Sequence, residues 1–151
     1  MKKIISTILA VLSLSFIMAQ SATVPTNLKK EVKDKYNVST ATWSTTSKYY
    51  VATWEANGEN KTVVYSNSNE PQLVRVETDL PFNSLSSTTQ NQVNTRFLGE
   101  GSQYSVRRTF KVDSFGAAIE GVQFDMTTND GIRTLYIFFD ANGNMTSREL
   151  N

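Results

Sequence analysis

Two stretches of the chain carry helical spacing and eight carry the two-residue alternation of strands, in the order of one helix and four strands, then the same again. In VPTNLKKEVKDKYN, Leu28, Val32 and Tyr36 recur at every fourth position of an otherwise charged segment, with Pro25 and Thr26 as start signals. This spacing predicts an amphipathic helix of about three turns. VSTATWS, KYYVATWE, KTVVYS and QLVRVE follow, rich in Thr, Tyr, Val and Trp and separated by TTS, ANGEN and NSNEP, so they read as strands. Asn57-Gly58 suits a tight hairpin, whose central residues need positive φ.

The pattern restarts at Asp79. DLPFNSLSSTTQNQVNTRF has Pro81 near its start and Leu85, Thr89, Val93 and Phe97 at steps of four, which predicts a second, more polar helix. Beyond Gly99-Glu100-Gly101 come QYSVRRTFKV, AAIEGVQFDM, RTLYIFF and NMTSREL, four more strand-like runs. Val32 and Tyr36 lie over Val93 and Phe97, and KTVVYSNSNEP lies over RTLYIFFDANGN, so an internal duplication is expected.

Strand alternation also sorts side chains between faces. Tyr49 and Tyr50 must point apart, Tyr50 shares a face with Trp54, and Tyr136 shares one with Phe138. The same rule sends Arg107 and Arg108 to opposite faces, so no basic patch is expected there. The strands carry more aromatic residues than one buried face absorbs, and an aromatic pair on an open face has the composition that dominates protein interfaces. Tyr50, Trp54, Tyr136 and Phe138 are therefore the candidate partner-binding residues.

The first residues change the picture of where the protein works. MKKIISTILAVLSLSFIMAQ has two lysines, an apolar run from Ile4 to Met18 and a small residue at Ala19, the pattern of a secretory signal peptide over residues 1–19. The run is shorter than the roughly 20 residues that span a bilayer, so no membrane span is expected after cleavage. Lys2 and Lys3 are two of the 15 basic residues, leaving 13 against 14 acidic ones, and this balance argues against nucleic acid as a partner. Without cysteine the exported chain must hold together by packing alone, as a periplasmic or secreted bacterial protein would. The Asn-X-Ser/Thr triplets at Asn37, Asn60 and Asn144 read as chance in an Asn- and Thr-rich chain.

Chemistry is constrained by what is missing. The chain has neither His nor Cys, which removes the usual zinc, copper, haem and iron–sulfur ligands, as well as Ser-His-Asp and Cys-His nucleophiles. No cofactor is expected. Asp140, Asn142 and Asn144 have the odd spacing of a calcium loop, but Gly143 is fourth where that loop wants Gly sixth, and Asn151 stands where it wants Glu. Asn142-Gly143 reads instead as a turn between strands. Gly99-Glu100-Gly101 lacks the rest of a phosphate loop. A carboxylate pair drawn from Asp79, Glu120 and Asp125 is the one catalytic arrangement left, and nothing marks these groups as tuned. No enzyme and no metal site are expected.

The signal ending Ala19-Gln20, VPTNLKKEVKDKY, ATW before a hairpin, VVYSNSNE, LPFNSL and YIFFDANGN together resemble the PepSY-like, beta-lactamase-inhibitor-like periplasmic proteins of Bacteroidetes. The resemblance implies an α+β fold: a tandem repeat of helix plus four-stranded antiparallel sheet, with helices packed on one face and an open concave face on the other. Residues 20–79 would form the first unit and residues 80–151 the second. It also implies a non-enzymatic binding module that inhibits or restrains a peptidase or other envelope enzyme through its sheet face, although no inhibitory motif of the family is matched here. A protein partner is the leading expectation. The alternative is a small-ligand carrier in the periplasm, with the aromatic residues lining a pocket.

Overall fold

The computed structural model describes residues 23–113 and 119–150. The expected signal peptide, residues 1–19, lies outside the described residues. Helix α1 spans Thr26–Tyr36 and is followed by strands β1 (Thr42–Thr45), β2 (Tyr49–Ala56), β3 (Glu59–Ser66) and β4 (Leu73–Asp79). A short 3-10 turn, Phe82–Ser84, leads to helix α2 (Ser87–Arg96) and strands β5 (Tyr104–Val112), β6 (Ile119–Thr128), β7 (Gly131–Phe139) and β8 (Met145–Leu150). Among the described residues no helix is long and apolar enough to cross a membrane.

Local chemistry sets the element ends. α1 buries Leu28 and Val32, carries Lys33 and Lys35 in its last turn where the helix dipole favours cations, and stops at Asn37 in the left-handed conformation (φ 53°). The second helix starts later than its spacing predicts. Pro81 opens the 3-10 turn, and Ser86 caps α2 by accepting a hydrogen bond from the Thr89 N–H at 3.2 Å. The β2–β3 turn consists of Asn57 and Gly58, both at positive φ (56° and 77°), as a type I′ hairpin requires.

The strands do not form two four-stranded sheets. They form one eight-stranded antiparallel sheet in simple chain order, β1 to β8, and this overturns the expected tandem repeat of separate helix-plus-sheet units. The join is made by three residue pairs, Glu77 with Val112, Thr78 with Lys111 and Asp79 with Phe110. An exposed strand edge is a row of unpaired backbone donors and acceptors, and pairing β4 with β5 removes two such edges at once. Alternation along each strand is a local property, so it does not record which edges meet.

Both helices lie on one face of the sheet. α1 covers Tyr50, Ala52, Val63 and Tyr65, while α2 with Leu85 and Phe97 covers Val122, Phe124, Leu135, Ile137 and Phe139. The opposite face has a smaller apolar cluster of Phe110, Val112 and Phe138. Here the ring of Phe110 lies across Gly121, its register partner, so closely that a Cβ on Gly121 would come within 2.2 Å of the ring. Gly121→Ala must therefore displace Phe110, and urea unfolding should register a loss of about 1–3 kcal/mol. Gly99→Ala, where a Cβ meets nothing within 4 Å, should change stability by less than about 0.5 kcal/mol.

Candidate functional site

In LVRVETD the alternation of β4 sends Arg75, Glu77 and Asp79 to the face opposite the helices. There Glu77, only 1% exposed, sits between two arginines: Arg75 Nε donates to its Oε1 at 2.6 Å and Arg108 Nη1 to its Oε2 at 2.5 Å. Arg108 also donates from Nε to Asp79 and from Nη2 to Thr62 at 3.2 Å. Arg75 reaches Glu149 on β8 at 3.5 Å. One carboxylate thus ties β4 to β5, and its partners extend the contact to β3 and β8.

Aromatic rings flank these charges. The Arg75 guanidinium lies 5.2 Å from the ring centre of Phe138, 5.6 Å from that of Tyr49 and 5.9 Å from that of Tyr136. Arg108 stands 4.6 Å over Phe110. Such contacts favour a cation that has lost water. Burial pulls the Arg75 guanidinium down, but Glu77, with Glu149 behind it, holds it above its ordinary value. Burial pushes the Tyr136 hydroxyl up, and Glu77 adds to the effect.

Around this network the sheet forms a trough of about 670 Å³ that no described element covers, lined among others by Tyr49, Val51, Val64, Arg75, Arg108 and Tyr136. Its chemistry is mixed, with rings and branched aliphatics beside hydroxyls, amides and charges of both signs. Arg107 lines it as well, contrary to the alternation rule. A bulge in β5 between Val106 and Arg108 leaves Arg107 as the extra residue, so both consecutive arginines serve the trough side. Arg107 meets Asp125 at 3.3 Å.

The sequence candidates divide between the two faces. Tyr50 is 6% exposed beneath α1, and Trp54, on the same face, packs its ring 5.2 Å from that of Tyr36 and is also among the residues that line the trough. Tyr136 lines the trough, half-buried, and Phe138 lies beside it within the small apolar cluster at 6% exposure. The three carboxylates are also split. Glu120 accepts from the Ser86 N–H at 2.7 Å and the Ser86 hydroxyl at 2.9 Å, holding the start of α2, while Asp79 and Asp125 are each paired with an arginine of β5. Asp140 uses its own loop: Oδ1 accepts from the N–H groups of Asn142 and Asn144 at 2.9 and 2.8 Å, and Oδ2 from the Asn144 side chain at 3.1 Å. These amides, those of Asn144 foremost, hold its carboxyl below the usual range. The loop is a turn in which both carboxylate oxygens of Asp140 accept from the loop's own groups, and among the described residues no three acidic groups converge as metal ligands.

Tyr49, Arg75, Glu77, Arg107 and Arg108 were not singled out by sequence reasoning as site residues. Charges at alternate positions of an otherwise Val-rich strand, Arg75, Glu77 and Asp79, were the available signal, since alternation puts all three on the face opposite Val74 and Val76.

No family model and no curated protein sequence matches the chain. Solved structures do match its fold. A DUF2874 family protein from Bacteroides ovatus is 23% identical with a TM-score of 0.54, over 85% of this chain and 88% of that one. A protein from Bacteroides eggerthii, provisionally described as periplasmic, is 20% identical with a TM-score of 0.55, over 85% and 89%. A BLIP-like protein from Bacteroides fragilis is 16% identical with a TM-score of 0.50, over 85% and 89%. The chain therefore has the fold of these proteins.

Removing the central charge of the arginine–glutamate network takes the shared anion from two guanidiniums, leaving Arg108 with Asp79 and Arg75 with only the longer contact to Glu149. Glu77→Gln should cost about 3–5 kcal/mol in urea unfolding, whereas replacing Arg75, Glu77 and Arg108 together by Met, Leu and Leu should restore stability to within about 1 kcal/mol of the unchanged protein or raise it.

Proposed function

We propose that this protein is an exported, non-enzymatic binding module of the bacterial periplasm or exterior, and that the trough opposite the helices holds part of a partner protein. The single observation behind this reading is the placement of the buried Arg75–Glu77–Arg108 network. It faces an open trough instead of a helix-covered core. Burying charges is expensive and adds little to stability compared with apolar packing, so a network kept here points to positioning of side chains for recognition. The pre-ordered Arg75, flanked by Tyr49 and Tyr136, belongs to the residue types that dominate binding energy at interfaces.

Export is supported by the leader pattern of residues 1–19 and by the fold neighbour described provisionally as periplasmic. The BLIP-like neighbour supports a binding role over a catalytic one. Inhibition or restraint of a peptidase or other envelope enzyme is the finer form of the proposal, and it rests on the resemblance of the sequence motifs. Of the four residues singled out in the sequence, Tyr136 contacts the partner with Tyr49, and Phe138 supports Arg75 from the neighbouring apolar cluster. Tyr50 acts by holding β2 against α1, and Trp54 packs there on Tyr36 while also bordering the trough.

A small-ligand carrier is the second reading, favoured by one observation: about 670 Å³ lies in the size range of small-molecule sites. An affinity pull-down of the mature protein from its own envelope fraction separates the two. The paired change Tyr49→Ala and Tyr136→Ala should reduce capture of a protein partner by about tenfold or more with an unchanged circular dichroism spectrum. Undiminished capture by this variant would contradict the proposal, and a co-purifying small molecule in native mass spectrometry would favour the carrier.

A further inference from the structure

The sheet is notched where its halves join. β4 ends at Asp79 and turns away toward the 3-10 turn, so among the described residues no strand pairs with β5 on that side from Tyr104 to Arg108. β3 continues past the end of β4 through Asn60 and Glu59, paired only with β2. Between β3 and β5 lies a hollow of about 640 Å³ walled by Asn60, Asp79, Leu80, Phe82, Val106 and Arg107, among others. It runs into the trough, because Asn60, Asp79, Arg107 and Arg108 line both.

Three properties of this notch specify an occupant. An unpaired strand side offers backbone donors and acceptors in register, which an extended polypeptide satisfies and a compact ligand does not. Leu80, Phe82 and Val106 present half-buried apolar surface next to it. The third is a cation free to change partners. Arg108 commits three nitrogens to Glu77, Asp79 and Thr62, whereas Arg107 is 58% exposed and has one 3.3 Å contact with a half-buried Asp125. Such a surface pair contributes little and exchanges readily. The bulge interrupts the ladder and aims Arg107 at the junction of the two hollows.

We propose that the notch takes an extended segment of the partner protein, which lies along β5 and presents an acidic side chain to Arg107 and an apolar one to Leu80, Phe82 and Val106. This rests on the trough being the partner-binding face, and it names the chemistry of the segment that enters there.

The test uses the full mature protein and an array of short synthetic peptides in which an Asp or Glu precedes a Leu or Phe, each matched by copies with Lys for the acid or Ser for the apolar residue. The unchanged protein should retain the acidic–apolar peptides about tenfold better than either copy. Arg107→Glu should reverse the charge preference toward Lys, and its exposure means the fold should persist, as circular dichroism will verify. Equal retention of acidic and Lys peptides, or an Arg107→Glu variant with the preference of the unchanged protein, overturns the proposal. So does a concentration-dependent dimer that Arg107→Glu dissolves, because a second copy would then fill the notch. If Tyr136→Ala removes peptide capture while Arg107→Glu does not, the trough stands and the notch falls. If neither change has an effect, the reading of the trough itself fails.

Discussion

The carboxylate of Glu77 holds the molecule together at its narrowest point. β4 and β5 share three residue pairs, while β2 and β3 share eight and β6 and β7 share nine. At that thin junction Glu77 is gripped from its own strand by Arg75 and from across it by Arg108. On the helix side, Thr78 accepts from Lys61 at 3.0 Å and donates to Asp113 at 2.9 Å, so the join is tied on both faces. Side chains thereby reinforce a contact that the backbone makes only briefly.

The same constraint shapes the face that carries the trough. α1 and α2 each cover one half of the sheet on one face, and the polar junction lies between the two apolar cores. The other face is left to the arginines, the rings of Tyr49, Tyr136, Phe110 and Phe138, and the polar groups around them. Because β4 stops at Asp79, the junction is also where the sheet opens into a notch. Strength of the join and access to the trough are therefore set by the same few residues.

Much of the secondary structure was legible in the sequence, because four-residue and two-residue spacing are local and survive without knowledge of the partner elements. Leu28 and Val32 announced the buried stripe of α1, and Asn57-Gly58 announced its turn. What could not be read was pairing between edges. Repetition of a helix and four strands suggested two separate sheets, yet pairing Asp79 with Phe110 depends on the relative position of residues 31 apart in sequence, which no local pattern encodes. The site was legible only in part for a similar reason. Aromatic alternation pairs Tyr136 with Phe138 and Tyr50 with Trp54, yet it does not tell that Tyr136 lines the trough while Tyr50 lies under a helix. Alternation sends Arg107 and Arg108 to opposite faces, but one extra residue in the ladder breaks that alternation and both line the trough.

The central claim is that the two halves form one continuous sheet that unfolds as a unit. Native-state hydrogen exchange of the unchanged protein tests it directly, through the N–H groups that bond across the junction, Leu80 to Thr109 at 3.0 Å and Asp113 to Val76 at 2.8 Å. With rising urea, these two amides should converge on the same opening free energy as Val63 and Ile137 in the flanking strands. Exchange of Leu80 and Asp113 through a separate, lower-energy opening that leaves both flanks protected would contradict the account.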